Sequence, residues 1–185
     1  MTDPELLPTI AEQSNKIIWW LKDLEVKWEL SPNSFRRIHG RLIFQKGRNP
    51  FQCKGGGYAL SEYLYPLAEQ KEIELRYETM ATGLLVDSRG KICGVSIRRG
   101  EELQDVKSKA VILACGGFEA NAMWRAAYLG DGWDLVKVRG TRYNTGDGLK
   151  MALDNGALPA GHWGGCHATL INDDPLPSDR ENFDR

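Results

Sequence analysis

Residues Ala110-Val111-Ile112-Leu113-Ala114 are apolar without a break and run straight into Cys115-Gly116-Gly117. A strand with one wet face alternates polar and apolar residues, whereas a run that is apolar at every position needs cover on both faces. Helices on either side of a parallel sheet give that cover, so an α/β fold is expected. In such sheets ligands bind beyond the carboxyl ends of the strands, and glycine there lets the backbone approach a ligand. A tight strand-to-helix turn with no ligand accounts for the two glycines equally well.

Composition narrows the function classes. The chain has 185 residues, with 24 Lys+Arg against 25 Asp+Glu and a net charge of −1. Such a balance removes the basic field that nucleic-acid binding needs. No apolar run approaches the roughly 18 residues of a membrane span. The acidic start, Met1-Thr2-Asp3-Pro4-Glu5, has no apolar signal core. Cys53, Cys93, Cys115 and Cys166 are scattered without a C-x-x-C pair. Reduced thiols and a cytoplasmic location are therefore expected. Glycine is abundant, 20 residues, which points to tight turns or to backbone lying against a ligand. The length suits one domain but is short for an enzyme that holds both a large cofactor and a substrate.

Along the chain, Asp3-Pro4 reads as a helix start that Pro8 makes irregular, and Ser14 as the cap of a second helix to about Leu24. Val26 to Leu30 reads as a strand, Ser31 to Ser34 as a turn, and Phe35 to Phe44 as a hairpin or irregular arm around His39-Gly40. A helix from about Tyr58 to Glu72 contains Pro66, which should kink it. Ile73 to Glu78 reads as a strand of the parallel sheet together with Ala110 to Ala114. Gly83 to Val86, Lys91 to Arg98 and Glu102 to Lys107 form an antiparallel three-stranded meander. Helices are expected over Glu119 to Leu129 and Asp147 to Asn155, the second ended by Gly156.

Three features could carry chemistry besides Cys115-Gly116-Gly117. Thr145-Gly146-Asp147-Gly148 opens a helix, where free N–H groups favour anions and Asp147 can cap or accept from a ligand. Gly55-Gly56-Gly57 also precedes a helix, but neither it nor any other segment is a G-x-G-x-x-G. His39 lies in a basic turn. His162, Cys166 and His167 make a poor metal set, because adjacent Cys and His rarely aim at one ion and a fourth ligand is missing. No metal is expected, and His167 fits better as a donor to an acidic ligand.

The order and spacing of these motifs resemble the fumarate reductase/succinate dehydrogenase flavoprotein family. Lys109 to Asn121 matches its strand-turn, Thr145-Gly146-Asp147-Gly148 its helix start, and Gly156-Ala157 the G-A pair at the end of that helix. Gly130 to Leu135, Val138 to Asn144 and Gly161 to His167 are most similar to the tricarballylate dehydrogenase branch. The resemblance implies a partial FAD-binding domain, with a parallel sheet, the meander and surrounding helices. It implies that the backbone near Ala81 meets the adenine of FAD. Cys115, Gly116 and Gly117 run beside the adenosine and pyrophosphate, with Cys115 replacing the family's usual Thr or Ser. Thr145, Gly146 and Asp147 lie near the flavin, and His167 donates to a substrate carboxylate. The implied activity is dehydrogenation of a small polycarboxylate by hydride transfer to flavin.

Members of the family begin with a G-x-G-x-x-G unit and continue into a capping domain. By that pattern residues 1–167 are the middle of the FAD-binding domain and 168–185 the truncated start of the cap. The alternative is a non-catalytic fragment or remnant of a fumarate reductase-like or 3-ketosteroid dehydrogenase-like flavoprotein. An electron-transfer partner and self-association through an unpaired sheet edge are further expectations. The chain by itself should purify colourless and inactive; stoichiometric flavin absorbance in the purified chain would contradict this.

Overall fold

The computed structural model describes residues 4–45, 49–138 and 140–166. The chain divides into two units, Thr2–Tyr77 and Glu78–Arg185.

In the first unit α1 spans Leu6–Asp23 as one helix, where two were expected. Pro8 falls in its first turn, where a missing N–H leaves no bond unmade. Ser14 caps nothing: its hydroxyl donates back to the Ala11 carbonyl, as serines inside helices do. Asp3, the expected first cap, lies outside the described residues. At the other end Glu25 takes a left-handed φ of 67°. Val26 N–H then reaches the Leu21 carbonyl at 3.0 Å, which closes the helix in the way glycine usually does. Leu21, Val26 and Cys53 form the core here, with Trp28, Leu60, Tyr63 and Leu64 packed against it.

Four short strands and a second helix come next. Strand β1 (Trp28–Leu30) pairs antiparallel with β4 (Phe51–Cys53); sequence periodicity gave no sign of β4. Strands β2 (Phe35–Ile38) and β3 (Arg41–Phe44) form the hairpin. Its two-residue turn puts His39 and Gly40 at φ 47° and 79°, the positive values that match the strand twist. Helix α2 (Gly56–Gln70) runs on through Pro66.

The second unit holds the meander: β5 (Met80–Val86), β6 (Ile92–Arg99) and β7 (Glu102–Lys107), paired in that order. The β5–β6 turn is fixed by Asp87, whose Oδ1 accepts from Arg89 N and Lys91 N at 2.8 and 2.9 Å. Helix α3 is Ala122–Leu129, capped by the Asn121 side chain, which accepts from Trp124 N. Helix α4 is Asp147–Asp154 and packs against β5. Gly156 ends α4 at φ 85°, and Ala157 N donates to Ala152 O.

The expected parallel sheet is not there: every sheet among the described residues is antiparallel. Ile73–Glu78 forms no strand, and neither does Ala110–Ala114. Far from being covered on both faces, Ile112 is 91% exposed. An all-apolar run states a demand for cover, but it does not name the neighbour that meets it. Among the described residues no strand lies alongside. The α/β expectation stands at the coarser level of mixed helices and sheets.

One buried charge organises the segment between the meander and α4. Arg125, 7% exposed, donates to the backbone carbonyls of Glu119, Trp133, Asp134 and Val136. A planar guanidinium meets such a spread of acceptors where an ammonium does not. Arg125→Lys and Arg125→Met should each lower unfolding free energy by about 2–4 kcal/mol, because four backbone carbonyls lose the donor they share. Chemical denaturation checks this, and wild-type stability in Arg125→Lys would refute it.

Candidate functional site

Two glycine turns meet in the second unit. The segment from Ala110 to Cys115 has no regular secondary structure, and Gly116 turns the chain at φ 75°. The second turn, Thr145-Gly146, opens α4 with Gly146 at φ 85°. Gly146 N–H donates to the Gly117 carbonyl at 3.0 Å. Asn121 reinforces the join, its Nδ2 donating to Thr145 O at 2.9 Å while its Oδ1 caps α3. Six of the residues singled out in the sequence, Cys115, Gly116, Gly117, Thr145, Gly146 and Asp147, are thereby brought into one place.

Packing explains why these positions are glycine. A Cβ on Gly146 would stand 2.9 Å from Phe118 Cβ and 2.9 Å from the Trp124 ring. A Cβ on Gly148 would stand 2.8 Å from Cys115 Cβ and 2.9 Å from its Sγ. Cys115 thus seats its thiol on the first turn of α4, through the space that glycine leaves. Beneath the turns lies an aromatic cluster. Phe118 stacks on Trp163 at 5.8 Å between centroids, and Trp124 and Tyr128 meet both rings. The Trp163 indole N–H is satisfied by Ala160 O at 2.9 Å.

Asp147 does not cap α4; no side chain does. Its Oδ2 accepts from the Thr145 hydroxyl at 2.7 Å, so the two side chains hold one another at the helix start. Ala81 is on β5, opposite Ile97; β5 packs against α4, but no direct bond ties Ala81 to the glycine turns. His167 lies outside the described residues. Among those described, no three His, Cys, Asp or Glu side chains gather as metal ligands. His162 instead folds over Gly165, where a Cβ would collide with its ring. The four cysteines are free thiols. Sequence reasoning missed Asn121, Glu119 and Asn144, which bind the turns together. The Asn121 cap was open to the rule that Asn precedes a first helical turn; the other two left no local signal. Among the described residues the shifted titrations lie in the first unit: Arg76, bonded at 2.7 Å, holds Glu74 below the usual carboxylate range, and desolvation, helped by Glu69 and Tyr65, raises Tyr77.

The site is therefore a pair of interlocked glycine turns at which Ala114, Cys115 and Gly116 are exposed residues. Side-chain-free backbone next to a hydroxyl and a helix start suits an extended, anionic cofactor. The family model described as FAD binding domain matches residues 1–162, and the chain belongs to that family of flavin-binding oxidoreductase domains. Vinyl phenol reductase of Lactiplantibacillus plantarum is 32% identical over 164 residues, 86% of this chain and 31% of that protein. Fumarate reductase (cytochrome) of Shewanella frigidimarina is 28% identical over 176 residues, 92% of this chain and 29% of that protein. The chain thus spans about a third or less of the curated relatives it matches. Among solved structures, the open conformation of a flavocytochrome c3 fumarate reductase superposes with a TM-score of 0.63. It is 24% identical, and the match covers 80% of this chain and 25% of that one. The 3-ketosteroid-Δ4-(5α)-dehydrogenase of Rhodococcus jostii gives 0.62 at 20% identity, covering 84% and 38%. These two likenesses speak for the fold.

FAD is the cofactor of the family, and the residues present fit it. The test is the turn itself: Gly116 is exposed at a left-handed φ of 75°, and it lies next to the Thr145-Gly146 start of α4, to which Gly117 is hydrogen-bonded. No described helix is long and apolar enough to cross a membrane. Gly146→Ala combines a forbidden φ with a clash, and should lower stability by about 2–4 kcal/mol. Gly148→Ala has only the clash and should cost about 1–3 kcal/mol. Removing the obstructing thiol with Cys115→Ala should recover part of the second loss but none of the first. Thermal unfolding of the three single variants and of Cys115→Ala combined with each glycine variant in turn checks this.

Proposed function

We propose that the chain forms part of an FAD-dependent oxidoreductase acting on a small polycarboxylate, with tricarballylate the first compound to test. The single observation that carries the cofactor half is the Gly146-to-Gly117 hydrogen bond. It holds both glycine turns together beside exposed residues. Cys115, Gly116 and Gly117 would hold the adenosine and pyrophosphate, and the backbone near Ala81 the adenine. Thr145, Gly146 and Asp147 would lie toward the flavin. Residues 1–167 would then be FAD-binding domain and 168–185 the start of a cap.

The substrate half rests on sequence. Gly130 to Leu135, Val138 to Asn144 and Gly161 to His167 are similar to the tricarballylate dehydrogenase branch. Fumarate, in the name of one relative, is itself a small dicarboxylate. Bound FAD supplies the acceptor for hydride from a C–H beside a carboxylate. The part left to this chain is electrostatic: His167 would donate to that carboxylate and stabilise charge that develops on it.

The test uses the protein expressed from its complete reading frame. It should purify with FAD and pass electrons from tricarballylate to a dye acceptor. His167→Ala should lower kcat/KM about a hundredfold and leave flavin content unchanged. Turnover of steroids or vinyl phenols with none of carboxylates would refute the substrate half. Loss of flavin in His167→Ala would place that residue elsewhere.

A further inference from the structure

Glu119 and Asn144 are not among the residues assigned to the cofactor, yet they close over the glycine turn. The Asn144 amide lies across Gly116: a Cβ there would meet Oδ1 at 2.7 Å, Cγ at 3.0 Å and Nδ2 at 3.2 Å. Glu119 does the same at the next position, its Oε2 standing 2.6 Å from where a Cβ on Gly117 would be. The two side chains are joined, Asn144 Nδ2 donating to Glu119 Oε1. One amide–carboxylate pair therefore spans both glycines. Their backbones are tied as well, since Ala120 N donates to Asn144 O at 2.9 Å. A hydrogen bond to a charged acceptor is roughly twice as strong as a neutral one. It holds the Asn144 amide where only a glycine at 116 can pass beneath it.

We propose that Glu119 and Asn144 are a positioning pair that sets the shape of the Gly116–Gly117 turn and, through it, the affinity for FAD. The affinity half rests on the reading that this turn holds FAD. The pair touches neither the flavin nor the substrate in that reading, so its removal should weaken cofactor binding rather than slow turnover by the loaded enzyme.

Two readouts test it in the protein from its complete reading frame, stripped of flavin. The first is FAD affinity by fluorescence titration. Asn144→Ala and Glu119→Ala should each raise Kd about tenfold, and the double variant should be no worse than either single. Asn144→Asp sets two carboxylates against each other and should lose more. Adding Glu119→Gln restores a hydrogen bond of reversed direction and should recover most of that loss. The second readout needs no cofactor: hydrogen exchange at the Gly146 N–H, which is bonded to Gly117 O. It should quicken about tenfold in the single variants and slow again in the swapped pair. Should Asn144→Ala fail to fold, the Asn144→Asp variant and its Glu119→Gln rescue carry the comparison. Unchanged Gly146 exchange and unchanged FAD affinity in folded single variants would overturn the proposal, as would a swapped pair no better than Asn144→Asp. If the wild-type protein never takes up FAD, Gly146 exchange that still quickens in the single variants would uphold the pair's hold on the turn and overturn the FAD assignment.

Discussion

The second unit depends on the bond from Gly146 N–H to the Gly117 carbonyl. It joins turns almost thirty residues apart in sequence, and it forms only because neither residue has a side chain in the way. Phe118 and Trp124 occupy the space a Cβ on Gly146 would need. The same rings stack with Tyr128 and Trp163, so apolar packing below and the hydrogen bond above fix one arrangement. Asn121 belongs to both, since it starts α3 and holds Thr145.

Arg125 has a comparable part within α3. A buried guanidinium without a carboxylate partner is costly unless every donor finds an acceptor. Here the acceptors are backbone carbonyls of a segment with little regular structure. The charge therefore orders residues 133–136, which periodicity leaves undefined. The glycine turns, the aromatic cluster and the arginine are all tied through α3 and the residues that flank it.

Much of this was legible in the sequence where local rules govern. The meander came from alternation and from the Asp87–Gly90 turn, and the end of α4 from Gly156. The glycine motifs marked the place where turns would meet. Legibility failed where a local signal had two readings. Pro8 breaks a helix interior but is harmless in a first turn, so one helix formed in place of two. Ser14 can cap or bond backwards, and it bonds backwards. Ala110–Ala114 has the pattern of a doubly covered strand, and it joins no sheet among the described residues. Glu119 and Asn144 gave no signal because their partnership exists only across the chain.

The sequence by itself determined the family, the antiparallel meander and the positions that must be glycine, because backbone angles, alternation and motif spacing are properties of neighbours along the chain. Only the tertiary structure decided what each glycine is for. Gly146 admits an aromatic ring, Gly148 a thiol, and Gly116 an amide from Asn144. Those demands come from side chains distant in sequence and close in space, and no run of neighbouring residues contains them.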